Sequence, residues 1–151
     1  MIQKKIFITA NYKQTQKLGE KFAKEVLKLP VGKTAVVLAL QGNLGGGKTT
    51  FLQGFAKGLC VKEKILSPTF VIQKRFKIKD LRFTNFYHID CYRLKNEKDI
   101  LELGLKEIIS DSKNIVAIEW PERIGKVLPK ETKNIGFKFI DENQREIKLK
   151  I

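Results

Sequence analysis

The residues Gly42-Asn43-Leu44-Gly45-Gly46-Gly47-Lys48-Thr49 fit the spacing G-x-x-x-x-G-K-[ST]. They follow an apolar run and precede a helical one, the context this pattern needs to bind phosphate. Glycines open backbone geometries closed to other residues, so successive N–H groups can converge on anionic oxygens. A helix starting near Lys48 adds free N–H groups and the positive end of its dipole. Lys48 then supplies an ammonium for terminal phosphates, the Thr49 hydroxyl a ligand for Mg²⁺, and Thr50 the next turn. Nucleotide binding is the chemistry these residues describe.

Such a site also needs an acid for a metal or a water. Two candidates end apolar stretches: Asp90 closes Phe86-Tyr87-His88-Ile89, and Glu119 closes Val116-Ala117-Ile118. Open α/β sheets bind ligands at the carboxyl ends of their strands, so both carboxylates can meet the phosphate loop there. By residue type alone, Trp120 reads as a core aromatic held by Pro121, and Ser67-Pro68-Thr69 as an ordinary turn. His88 reads as a satisfied structural histidine. The phenylalanines at 70, 76, 83 and 86 read as core.

Strands are expected at 6–9, at 34–40 (a continuous apolar run buried on both faces), at 70–79 and 83–90 joined by a turn near Asp80, and at 115–118. Leu18, Phe22, Val26 and Leu29 recur at helical spacing within 15–29, a helix stopped by Pro30. Further helices are expected over 48–59 and 98–109, the latter interrupted at Gly104. The tail alternates through Ile135, Phe137 and Phe139, then Ile147, Leu149 and Ile151, around the turn 141–144, as a C-terminal hairpin does. Helices alternate with strands early and hairpins come late, which predicts an α/β fold with a mixed central sheet and helices on both faces.

At 151 residues the chain suits one domain, 1–151. Its longest apolar run, Ala35–Leu40, is far short of the ~20 residues that span a bilayer, and residues 1–12 lack the features of a secretory signal. Cys60 and Cys91 lack paired-ligand spacing and His88 is the single histidine, which argues against structural zinc and a disulfide-linked partner. Both cysteines are expected as small buried hydrophobes. The net charge of +14 comes mainly from lysine, only five of thirty basic residues being arginine. It fits either an acidic or nucleic-acid partner or a solvated lysine surface.

The loop with Phe51-Leu52-Gln53-Gly54, then Ser67-Pro68-Thr69-Phe70, His88-Ile89-Asp90-Cys91-Tyr92-Arg93, Leu103-Gly104-Leu105 and Ile118-Glu119-Trp120-Pro121-Glu122-Arg123, stand in the order and spacing of the TsaE (YjeE) family. The resemblance covers essentially the whole chain. It implies a P-loop NTPase-like three-layer fold and a cytoplasmic Mg²⁺-dependent ATPase, weak alone. It further implies work through a TsaB–TsaD complex in forming threonylcarbamoyladenosine at position 37 of tRNA, with direct contact to tRNA left open. Residues Gly42 to Thr50 would hold ATP, and Thr49, Asp90 and Glu119 the metal. Thr69 would sense the γ-phosphate or metal, Asp90 and Glu119 would serve catalysis, and Trp120 would lie against the adenine. Asn43 and Gly46 depart from the Asp and Ala common in the family. A P-loop small-molecule kinase and a nucleotide-regulated RNA- or partner-binding module are the alternatives.

Overall fold

A computed structural model describes residues 3–43, 45–66 and 72–150. The expectations placed on Leu44, Ser67-Pro68-Thr69-Phe70 and Ile151 lie outside the described residues. Among the described residues there are seven strands: β1 (Lys4–Thr9), β2 (Val36–Gln41), β3 (Gln73–Lys77), β4 (Asn85–Asp90), β5 (Asn114–Glu119), β6 (Lys133–Phe139) and β7 (Arg145–Lys150). The helices are α1 (Tyr12–Leu27), α2 (Lys48–Gly58), α3 (Glu97–Glu102) and α4 (Leu105–Ser110), with 3₁₀ turns at Pro121–Arg123 and Gly125–Val127.

One mixed sheet takes the order β1-β7-β6-β2-β5-β4-β3. Strands β6, β2, β5 and β4 run parallel. Strand β7 opposes β6 and β1 opposes β7, so β1 runs with the parallel set. The carboxyl ends of β1, β6, β2, β5 and β4 therefore share one rim of the sheet. That rim receives the start of α1, the β6–β7 turn, the glycine-rich loop and both strand-end acids.

Each face has its own core. On one, α1 and α2 set Phe22, Phe51 and Phe55 against Phe86, Phe76 and Phe137. On the other, Ile100, Leu105 and Ile108 of α3 and α4 cover Val37, Ile89, Val116 and Ile118. Strand β5 lies between the two cores and is buried at every position, which its unbroken apolar sequence anticipates. Phe76, Phe83 and Phe86 join the core as expected.

Local chemistry moves some boundaries. Helix α1 begins at Tyr12 rather than 15 because Asn11 caps it: Asn11 Oδ1 accepts from Gln14 N at 3.0 Å, while Gln14 Oε1 accepts from Ala10 N at 2.7 Å. Gly104, in the left-handed region, separates α3 from α4. Asp141 Oδ1 accepts from the N–H groups of Asn143 and Gln144 and fixes the final hairpin turn. The expectation for Cys60 is corrected: it is exposed beyond the end of α2, with φ of 59°, whereas Cys91 is buried. Burial pushes the Cys91 thiol up to about 12, so it stays protonated and packs as a small hydrophobe.

Helices α1 and α2 touch backbone to backbone. A Cβ at Gly54 would overlap the backbone of Gln16, so only glycine fits there. Among the described residues, no helix is long and apolar enough to cross a membrane.

Candidate phosphate-binding site

Strand β2 ends at Gln41 and α2 starts at Lys48, with the loop between them on the sheet's rim. Gly47 occupies the N-cap of α2 at φ 96°, a conformation that glycine adopts without a Cβ penalty. No side chain caps this helix and no acid stands in its first turn. Its leading N–H groups and dipole thus face the cavity uncompensated, an arrangement that attracts an anion. Within the loop, Gly46 N donates to Asn43 O at 3.1 Å.

The Lys48 side chain is buried. Its Nζ donates to Gly42 O at 2.5 Å and sits 4.1 Å from the centroid of the Trp120 ring. Burial lowers the ammonium below the usual lysine range, while Glu119, Asp90 and Glu122 pull it back up. A cation held by one carbonyl and one aromatic face is poorly neutralised, so a phosphate oxygen offers it a stronger partner.

The acids come from adjacent strands whose register places Asp90 beside Glu119. Burial raises the Asp90 carboxyl above its ordinary range. The N–H of Tyr92, donating to Oδ1 at 2.9 Å, works against this, and the Glu119 charge adds to it. Glu119 is buried with its Oε2 2.7 Å from His88 Nε2. Immediately after Glu119 the chain turns at Trp120, a non-glycine residue at φ 57°. Such a conformation costs on the order of 1–3 kcal/mol and is typical of sites where geometry is imposed for function. The turn brings the indole over Lys48 and within 5.0 Å of the Tyr92 ring.

A cavity of about 450 Å³ unites these groups. Gly45, Gly46, Gly47, Lys48, Thr49, Thr50, Asp90, Glu119 and Trp120, all expected from the sequence, line it. Gly42 and Asn43 support the loop from behind through their carbonyls. Leu44 and Thr69 are outside the described residues.

Sequence reasoning missed the second wall: Asn11, Tyr12 and Thr15 at the start of α1, and Glu142, Asn143 and Arg145 at the β6–β7 turn. Arg145 fixes that turn against the loop. Its Nη1 donates to Asp141 O at 2.6 Å and Gln144 O at 2.9 Å, its guanidinium lies over Phe139, and its Cγ is 3.5 Å from where a Gly47 Cβ would stand. The Asn-x-x-Gln cap was a readable signal for the helix start, but not for its place beside the loop.

The donor set fits Mg²⁺. Thr49 offers a hydroxyl and Asp90 and Glu119 offer carboxylates in one cavity, and magnesium in such sites takes one or two carboxylates and fills its remaining positions with phosphate and water. Among the described residues no group of three or more His, Cys, Asp or Glu side chains is placed to hold a metal ion.

A phosphate loop between a buried parallel strand and a helix, with acids at the ends of neighbouring strands, defines an α/β protein of the P-loop class. The family model described as "Threonylcarbamoyl adenosine biosynthesis protein TsaE" matches residues 9–147, and the chain belongs to the TsaE family. It is similar to the tRNA threonylcarbamoyladenosine biosynthesis proteins TsaE of Treponema pallidum (38% identity, 74% of this chain and 78% of that one) and Bacillus subtilis (35%, 92% and 80%). The Rickettsia typhi protein of the same name is 33% identical over 91% of this chain and 89% of its own. A crystal structure of Bacillus subtilis YdiB superposes with a TM-score of 0.76 at 29% identity, covering 99% of this chain and 86% of that one.

Proposed function

We propose that this chain is the ATP-binding and ATP-hydrolysing subunit of a cytoplasmic assembly that forms N6-threonylcarbamoyladenosine at position 37 of tRNA, acting through a TsaB–TsaD complex. The observation that carries the ATPase reading is the convergence of an uncapped helix start, a poorly neutralised Lys48 and two buried carboxylates on one cavity. Kinship with proteins named for threonylcarbamoyladenosine biosynthesis supports the pathway.

In this reading Lys48 leaves Gly42 O for the terminal phosphates, and the N–H groups of residues 46–50 hold the β-phosphate. Thr49 and one of the two acids would hold Mg²⁺, which would supply positive charge beside the terminal phosphates. The remaining carboxylate orients the attacking water. Hydrolysis alone modifies no tRNA, so the nucleotide must bind two conformations of the assembly unequally. Helices α3 and α4 carry no arginine and pack on the sheet, which favours an ATPase over a kinase with an arginine-bearing lid.

The test is steady-state turnover of Mg·ATP by the chain alone and with TsaB–TsaD. Slow turnover that the complex accelerates supports the reading, and the same rate in both refutes the coupling. Loss of threonylcarbamoyladenosine on depletion of the protein, restored by wild type and not by Lys48→Ala, tests the cellular role.

A further inference from the structure

The charge of this chain is lopsided. Residues 1–82 hold seventeen of its thirty Lys and Arg but only four of its sixteen Asp and Glu, whereas residues 83–151 hold thirteen and twelve. The fold turns that bias into geometry. Helices α1 and α2, from the basic part, cover one face of the sheet, and α3 and α4, from the balanced part, cover the other. Segment 93–113, which contains α3 and α4, carries five residues of each sign. A lysine-rich composition alone would spread over both faces, so its confinement to one points to a polyanionic partner on that side.

On α1, Lys13, Lys17, Lys21, Lys24 and Lys28 are exposed. They fall within an arc of about 80° and run about 22 Å along the helix, on the side away from the buried Thr15, Gly19, Phe22, Ala23 and Val26. Lys24 pairs with Glu20 at 3.4 Å and Lys28 with Glu25 at 3.5 Å, while Lys13, Lys17 and Lys21 pair with no acid among the described residues. Neighbouring elements extend the stripe. Gln16 Nε2 donates to Gln53 Oε1 at 3.0 Å and Gln53 Nε2 to Ile65 O at 3.2 Å, beside a groove of about 240 Å³ bordered by Lys57, Glu63 and Lys64. At the other end of α1, Arg82 Nη1 donates to Leu29 O at 3.1 Å and ties the turn between β3 and β4 to the helix.

The makeup of this surface suits nucleic acid better than protein. Protein interfaces are built round aromatic and apolar anchors and are poor in lysine. Here, among the described residues, Tyr12 is the one large apolar side chain that α1 and α2 expose. Interfaces with nucleic acid are polar and strongly positive. Lysine is a point charge without the fork of arginine, so such a stripe suits backbone phosphates more than base edges. We infer that the α1–α2 face, with the β3–β4 turn, binds the phosphate backbone of RNA; on the function proposed above, that RNA is tRNA, held directly by this subunit.

Fluorescence anisotropy with a labelled, unmodified tRNA transcript tests this. Wild type should bind, with affinity falling steeply between about 50 and 200 mM salt. The triple variant Lys13→Gln, Lys17→Gln, Lys21→Gln should bind about tenfold more weakly and show a shallower salt dependence. The triple variant Lys98→Gln, Lys106→Gln, Lys113→Gln removes equal charge from the balanced face and should stay within about twofold of wild type. All six lysines are exposed, and glutamine is a comparable helix former, so both variants keep their fold. No binding by wild type, or equal affinities for the two variants, overturns the proposal. So does poly-glutamate of matched charge binding as tightly as tRNA, which would assign the face to an acidic polypeptide. Loss of tRNA from Lys48→Ala would place the RNA in the phosphate cavity and overturn it too. A chain that binds no tRNA, yet whose depletion abolishes threonylcarbamoyladenosine, loses this surface and keeps the proposed function.

Discussion

His88 Nε2 and Glu119 Oε2 are 2.7 Å apart in the interior beneath the phosphate loop. An ionised carboxylate can only accept, so the imidazole donates its Nε2–H. His88 lies opposite Ala117 in the parallel register and reaches two residues along β5 to the acid. One carboxylate oxygen is thereby committed to the protein, and the other is left for the cavity.

Removing the histidine should show what that bond is worth. His88→Leu leaves Glu119 Oε2 buried without a donor, a loss of about 1–3 kcal/mol. Urea denaturation should record it, and His88→Gln, which can again present an N–H, should recover part of it. Equal midpoints for the Leu and Gln variants would mean the bond contributes nothing.

Asp90 makes the opposite prediction. Burial raises its folded-state pKa, so the folded chain holds this proton to higher pH than the unfolded chain does. In the window just above 3.8 the folded state binds more protons, and stability falls as pH rises through it. At neutral pH, in metal-free buffer, Asp90→Asn should therefore stabilise the domain by about 1 kcal/mol while keeping the Tyr92 N–H bond. Hydrolysis should be lost in the same variant. A less stable Asp90→Asn protein would contradict the burial argument.

Gly54→Ala tests the contact between α1 and α2. Alanine is ordinarily the better helix residue, yet here its methyl would enter the Gln16 backbone. The helices must separate, at a cost of roughly 3 kcal/mol or more. Thermal melts should show a clear fall in Tm, whereas the same change at Gly125, which has open space around it, should be nearly neutral.

Trp120 is the chain's single tryptophan, and the Lys48 ammonium lies over its ring. Phosphate draws that ammonium away, so tripolyphosphate and adenosine imidotriphosphate should both alter the emission. Lys48→Ala should abolish both responses. An emission change with nucleotide and none with tripolyphosphate would instead place the indole beside the base.

The sequence reading succeeded where a local pattern and a tertiary demand coincide. The run Val36–Gln41, the glycines and Lys48 are adjacent in the chain, so strand, loop and helix could be read in one piece. The strand-end positions of Asp90 and Glu119 were readable for the same reason, and the alternation 135–139 and 147–151 revealed the last hairpin. Long-range order was not legible. That hairpin reaches the phosphate loop only because β6 pairs with β2, a contact between residues about a hundred positions apart. The His88–Glu119 bond depends on the β4–β5 register, and the placing of Trp120 over Lys48 depends on a left-handed turn that nothing in Glu119-Trp120-Pro121 announces.

The tight seam between α1 and α2 has a mechanical consequence. The helix that carries the lysine is clamped to the helix that begins beside Tyr12, so the two can tilt only as one block. On the proposed ATPase reading, a movement passed to a partner comes from elsewhere: the segment joining Asp90 to α3, with the bend after Glu119, is free of that clamp. On that reading, a crosslink between α1 and α2 should leave ATP turnover intact, whereas one that pins Tyr92 to Trp120 should stop it.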